Sequence, residues 1–128
     1  MAKYELNKEH LVDIFEVASY GSDWLSFTYK DNDVNNSLIR QESEDMSSVI
    51  ADIVLGGGTI VAVDWNDYDD NDKSGKEYDI DFKSMKDGFQ KFIEEQPQDY
   101  ADLINGRDDY YTCNNFMQCV MFGEVIYG

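Results

Sequence analysis

Basic groups are scarce in this chain. Ten lysines and arginines stand against 27 aspartates and glutamates, a formal net charge of −17. The only arginines are Arg40 and Arg107, and the only histidine is His10. Affinity for nucleic acid comes from Lys and Arg displacing counterions from phosphates, so this balance argues against direct binding of DNA, RNA or an anionic membrane. Long apolar runs are absent too: no segment approaches the roughly 18 apolar residues that a membrane-spanning helix needs. The opening Met1-Ala2-Lys3-Tyr4-Glu5-Leu6 has no apolar signal-peptide core and turns polar at Asn7-Lys8-Glu9, which predicts a protein of the cytoplasm. Cysteine is limited to Cys113 and Cys119. Their spacing within a predicted helix suits neither a disulfide nor a zinc pair, and both read as reduced, partly buried structural residues.

Catalytic signatures are missing as well. There is no Gly-x-Ser-x-Gly, His-Glu-x-x-His or phosphate-loop pattern. His10 stands beside Glu9 near a helix start, with no nucleophile or metal partner visible in sequence, and reads as a surface residue. The expectation is a non-enzymatic protein with no cofactor and no bound metal.

What the chain does have is aromatic carbon. Seven Phe, nine Tyr and two Trp, within 42% hydrophobic residues, are too many for a disordered acidic tail. A length of 128 residues allows one core and predicts a single domain over 1–128. The self-repulsion of −17 charges exceeds what solubility requires and costs stability, so the charge itself points to a purpose.

Periodicity divides the chain into elements. Asn7 caps a predicted helix to about Tyr20, with Leu11, Ile14, Phe15 and Ala18 on one face and Gly21 ending it. Trp24–Tyr29 alternates as a strand, and Asp31–Asp33 with Asn35-Asn36 break regular structure. Ser43 reads as the cap of a helix whose stripe is Met46, Val49, Ile50, Ile53 and Val54, with Glu44 and Asp45 in the first turn. Gly56-Gly57-Gly58 closes that helix and is not a phosphate cradle, because it follows the helix and precedes no Lys-Ser/Thr pair. Thr59–Trp65, apolar on both faces, reads as a central strand. Lys76–Phe82 returns as its hairpin partner, with the turn near Ser74-Gly75. A helix from Ser84 or Asp81 carries Met85, Phe89, Phe92 and Ile93. Pro97 follows it, a short helix spans about 99–104, and Thr112 caps a last helix burying Phe116, Cys119 and Val120. Phe122, Val125 and Ile126 are expected to complete the core. The sum is an α+β fold: a small, mainly antiparallel three-stranded sheet packed with four to five helices.

The densest chemistry lies between Asp64 and Asp81, where eight acids face two lysines. Asp70, Asp72, Ser74, Gly75 and Asp81 fall at positions one, three, five, six and twelve of a calcium-binding EF-hand loop. Glu77, however, stands where an aliphatic residue belongs, Asp81 replaces the bidentate Glu, and a strand leads in instead of a helix. The loop therefore reads as a weak attractor of cations and not as a calcium site. A bare solvated hairpin tip is the plain alternative, but acids recur at Glu42, Glu44, Asp45, Glu94, Glu95, Asp99, Asp102, Asp108 and Asp109. The third reading is a binding face formed by Asp64, Asp67, Asp69, Asp70, Asp72, Glu77, Asp79 and Asp81. Strand alternation sets Tyr78, Ile80 and Phe82 toward the core and Glu77, Asp79 and Asp81 outward at about 6–7 Å spacing, close to that of backbone phosphates. Trp24, Trp65 and most tyrosines are assigned to the core and its rim. Tyr68, Tyr110 and Tyr111, in acidic loops, are candidate interface anchors.

Three stretches carry a resemblance: Leu6–Phe15, Gly57–Asp64, and the ending Asn115-Phe116-Met117-Gln118 through Phe122-Gly123-Glu124-Val125-Ile126-Tyr127-Gly128. Together they resemble small acidic proteins encoded by phages and related mobile elements. That resemblance implies a setting, inhibition of host defence or of host nucleic-acid enzymes in the manner of an anti-CRISPR or anti-restriction DNA mimic, and no individual residue roles. The function expected from the whole reading is binding to a basic, nucleic-acid-binding host protein. A sequestering protein for a signalling nucleotide and an immunity protein against a basic toxin are the alternatives.

Overall fold

The computed structural model describes residues 5–20, 22–29, 45–71, 73–107 and 109–127. Asn7 starts the first helix, its side chain accepting from the His10 amide at 2.9 Å. Helix α1 (Lys8–Ser19) then buries Leu11, Ile14, Phe15 and Ala18, the face its spacing predicts. Strand β1 (Leu25–Thr28) follows. Helix α2 (Met46–Leu55) is capped by Asp45, which accepts from the Ser48 amide at 2.9 Å; Ser43, the cap expected from sequence, lies outside the described residues. Val49, Ile50, Ile53 and Val54 are buried as expected, but Met46 in the first turn is exposed. Gly56 and Gly57 close the helix, the latter in the left-handed region at φ 91°, as a C-terminal cap demands.

Strands β2 (Ile60–Asp69) and β3 (Ser74–Ile80) form an antiparallel hairpin, and the sheet order is β1-β2-β3 with β2 central. The turn comes earlier than expected. Asp70, Asn71 and Lys73 are its described residues, with Lys73 in the left-handed region at φ 54°, and Ser74-Gly75 already belongs to β3. Asp69 builds this tip: its carboxylate accepts from the Asn71 amide at 2.8 Å and its carbonyl from the Lys73 amide at 2.7 Å. With Ser74–Ile80 paired as a strand, the segment 70–81 does not wrap as a cation-binding loop. Among the described residues no three acidic, cysteine or histidine side chains converge as metal ligands.

Asp81 caps helix α3 (Phe82–Glu95), so Phe82 opens a helix instead of ending a strand. Helix α4 (Pro97–Ile104) begins at proline, whose missing N–H costs nothing in a first turn. Helix α5 (Tyr110–Phe122) is capped by Asp109 and not by Thr112. The Thr112 amide and hydroxyl both donate to Asp109, at 3.0 and 3.2 Å, and Thr112 itself is buried within the helix. Gly123 ends α5 at φ 77°.

The five helices and three antiparallel strands make an α+β fold. Alternation along the strands puts Leu25, Phe27, Ile60, Ala62, Tyr78 and Ile80 on the helical side, where all six join the core. Ser26, Thr28, Val61, Val63, Glu77 and Asp79 share the opposite face. Helix α5 is the central helix. Its Phe116 packs on Phe89 and Phe92 of α3 at ring distances of 5.5 and 5.1 Å, and its face is buried at Cys113, Met117 and Cys119. No helix of the described residues is long and apolar enough to cross a membrane.

Gly88 lets α3 and α5 approach. A methyl group there would lie 2.4 Å from Val120 Cγ2 and 2.5 Å from its Cα. Alanine in a helix interior normally gains about 1 kcal/mol over glycine, whereas forcing extra volume into a packed contact costs about 1–3 kcal/mol. Because the Val120 backbone is the obstacle, the second effect wins. Gly88→Ala is expected to lower stability by about 1–2 kcal/mol in urea denaturation, and an unchanged or raised midpoint would contradict this packing.

Candidate functional site

The hairpin is not regular. Asp64 pairs with Lys76 and Asp69 with Ser74, so residues 65–68 of β2 lie opposite Gly75 alone. The surplus bows outward as a wide bulge, a device that re-aims side chains at a sheet edge. Gly75 permits it: a Cβ there would sit 2.7 Å from the Asp64 carbonyl oxygen and 2.8 Å from Val63 Cγ1. On the bulge, Trp65 and Tyr68 stack with ring centres 6.4 Å apart and remain 43% and 47% exposed. The Trp65 indole donates to Ser26 Oγ of β1 at 2.8 Å, which holds the ring on the sheet surface. Tyr68 was a candidate anchor from sequence. Trp65 was assigned to the core and its rim, because alternation through 59–65 cannot register a bulge that begins there.

The acids expected to form one face separate into three groups. Asp67, Asp69 and Asp70 are exposed on the bulge and tip, and Glu77 and Asp79 are exposed along the outer face of β3. Asp72 lies outside the described residues. Asp81 has left the strand row. Its carboxylate accepts from the Ser84 amide at 2.8 Å and the Ser84 hydroxyl at 2.9 Å, and these bonds hold its pKa below the ordinary aspartate value. Lys76, also on β3, has its ammonium 5.4 Å from the centre of the Tyr78 ring.

Asp64 is the clear departure from the sequence expectation. It is 1% exposed and unavailable to a partner. Because β2 turns from core to bulge at this residue, the Asp64 side chain points inward while those after it point to solvent. Its Oδ1 accepts from the Asn66 amide at 3.0 Å, and its Oδ2 from the Tyr127 hydroxyl at 2.6 Å. Tyr127 reaches it because Gln118 of α5 grips the chain end. Gln118 Oε1 accepts from the amides of Ile126 and Tyr127, both at 2.8 Å. Its Nε2 donates to Asn114 Oδ1 at 2.9 Å and to the Tyr127 carbonyl at 3.2 Å. The Tyr127 ring stands edge-on to Trp24 at 4.9 Å and to Phe122 at 5.7 Å. Tyr127 therefore does the work expected of Ile126, which is 50% exposed.

Nucleophiles are muted. Both cysteines are buried in α5, and burial, reinforced by Glu95 and Asp99, pushes the Cys119 thiol up to about 11. That leaves almost no thiolate at neutral pH. His10 is tied to the chain before α1, its Nδ1 lying against the Glu5 carbonyl.

The bond to Asp64, with burial adding to it, pushes the Tyr127 hydroxyl up to about 12 from 10. A raised phenol pKa stabilises the fold fully below pH 10 and loses that contribution as pH rises through about 12, since the unfolded phenol ionises first. Urea midpoints measured against pH are expected to fall across this alkaline window in the native chain and less steeply in Tyr127→Phe. At neutral pH the variant loses about 1–3 kcal/mol, because the buried Asp64 carboxylate is left without its donor. Parallel alkaline limbs for the two proteins would sink this assignment. No protein-family model, curated protein or solved structure matches the chain.

Proposed function

We propose that this protein is a non-enzymatic binder of a basic, nucleic-acid-binding protein, and that it inhibits that protein by occupying its nucleic-acid groove. The observation that carries the reading is the β2 bulge, where the exposed Trp65–Tyr68 stack is set among Asp67, Asp69 and Asp70, with Glu77 and Asp79 along the neighbouring strand. Interfaces take most of their affinity from a few aromatic anchors ringed by polar groups. Carboxylates on a rigid hairpin meet the lysines and arginines of such a groove without first paying the entropy of ordering a flexible tail. The −17 charge supplies long-range attraction that speeds encounter. Resemblance to small acidic phage proteins fits an inhibitor of host defence or of a host nucleic-acid enzyme.

The test is capture from host lysate on immobilised protein at low and high salt, followed by competition with duplex DNA. Recovery of basic nucleic-acid-binding proteins, lost at high salt and displaced by DNA, is the expected result. Neutral or acidic partners held equally at both salt concentrations would refute the proposal. With the captured partner in hand, Trp65→Ala is expected to weaken binding by about 2 kcal/mol, roughly thirtyfold, chiefly through faster dissociation. Neutralising Asp67, Asp69 and Asp70 together with asparagine is expected to act mainly on the association rate and to flatten its salt dependence.

A further inference from the structure

Beside the bulge lies a cavity of about 360 Å³, at the small end of ligand-sized pockets. Four segments distant in sequence close around it. Asp23 and Trp24 come from the bend just before β1, Asn66 from the bulge, Tyr110, Tyr111, Asn114 and Asn115 from the first turns of α5, and Tyr127 from the last described position of the chain. Among the described residues its lining holds four aromatic rings and one carboxylate, and neither lysine, arginine nor histidine. The rings form two edge-to-face pairs, Trp24–Tyr127 at 4.9 Å and Tyr110–Tyr111 at 5.4 Å.

Hydrogen bonding turns accepting oxygens of this lining toward the cavity beside the Asp23 carboxylate. The Tyr127 hydroxyl commits its proton to Asp64, so toward the cavity its oxygen can only accept. Asn115 directs one amino hydrogen to Asp99 at 2.9 Å, which fixes the amide's orientation and keeps its carbonyl oxygen able to accept. Asn114 accepts from Gln118 and sends its amino group toward the Tyr110 hydroxyl at 3.4 Å. The positive end of α5 is close by, but the Asp109 carboxylate caps it through Thr112. An anion would meet a carboxylate, the negative faces of the rings and no counter-charge. A planar cation with several donors meets the Asp23 carboxylate, the accepting oxygens of the lining and the exposed Tyr111 ring, partners suited to a guanidinium.

We infer that this cavity receives the guanidinium of an arginine side chain presented by the basic partner. The inference rests on the proposed function, since it names which group of that partner is held. Asn66 belongs both to the cavity and to the bulge, so a partner seated on Trp65 and Tyr68 has the cavity within one side chain's reach. Arginine is preferred to lysine because its guanidinium is flat, weakly hydrated and able to stack while donating in its plane, whereas an ammonium is compact and strongly hydrated. The absence of a basic lining residue also disfavours the alternative of a sequestered signalling nucleotide.

The full chain can be titrated with N-acetyl-arginine amide and followed by ¹H–¹⁵N NMR, with the neutral isostere N-acetyl-citrulline amide and a nucleoside monophosphate as the other arms. Expected is saturable, millimolar-range binding of arginine that moves the Trp24 indole and the Asn114 and Asn115 side-chain amides, while the Trp65 indole stays still and citrulline does nothing. Asp23→Asn, at an exposed position, is expected to weaken binding about two- to fivefold, the worth of one solvent-exposed ion pair. Tyr111→Ala, at a residue 68% exposed, is expected to act in the same direction. Equal response to citrulline, shifts scattered over the acidic surface without saturation, or preferential response to the nucleotide would overturn the inference. If arginine fails while salt-sensitive capture succeeds, the pocket assignment falls and the proposed function stands. If arginine saturates the pocket but no basic partner is captured, the reverse holds.

Discussion

The Gln118 carboxamide is the point on which this structure turns. Buried in α5, it uses both ends of its amide to hold the backbone of Ile126 and Tyr127, and it braces its own amino group on Asn114. The Gln118 amide, 1% exposed, would otherwise be buried without partners, at about 1–3 kcal/mol for each unmet group. The chain after Gly123 has no helix or strand of its own, so this side chain substitutes for a regular hydrogen-bond ladder. Held there, Tyr127 seals the edge of the aromatic cluster with Trp24 and Phe122 and delivers its hydroxyl to Asp64.

From that bond the functional side of the molecule follows. Asp64 is the last inward-facing residue of β2 before the bulge, and Tyr127 ties it to the helical layer. The strand therefore changes character at a fixed place, a buried central strand before Asp64 and an exposed arm after it. Trp65, Asn66, Asp67 and Tyr68 owe their exposure to that transition and to the absence of a side chain at Gly75. The cavity beside the arm has Tyr127 as one wall and Asn66 as another, so the same clamp positions both parts of the proposed interface. Electrostatic excess bears on every step. In a chain of net charge −17, carboxylates that cap helices or pair with lysine offset part of the repulsion, and those exposed on the hairpin dominate the local field.

Helix faces were legible in the sequence because their periodicity is local. The stripes of α1 and α2, the glycine ends of α2 and α5, and the central position of β2 follow from spacing and backbone preference alone. Caps were less secure. Asp45 and Asp109 displaced Ser43 and Thr112 because several adjacent residues had suitable side chains, and only the backbone path decides which oxygen reaches an amide. The hairpin turn was misplaced for a related reason: Ser74-Gly75 has turn chemistry, but the glycine serves close strand contact, while Lys73 takes the left-handed conformation.

Composition and periodicity by themselves determined that this chain folds, that it is α+β, that its cysteines sit in a helix, and that its surface is acidic. Those properties depend on residue type and on neighbours a few positions away. Tertiary structure decided which acids are surface and which are structural. Asp64 and Asp79 are the same residue type in one hairpin, yet one is buried beneath a tyrosine 63 residues away and the other faces solvent. It likewise brought Asp23, Asn66, Tyr110 and Tyr127 around one cavity, a convergence no local pattern encodes, because contacts between distant segments are set by packing and not by spacing along the chain.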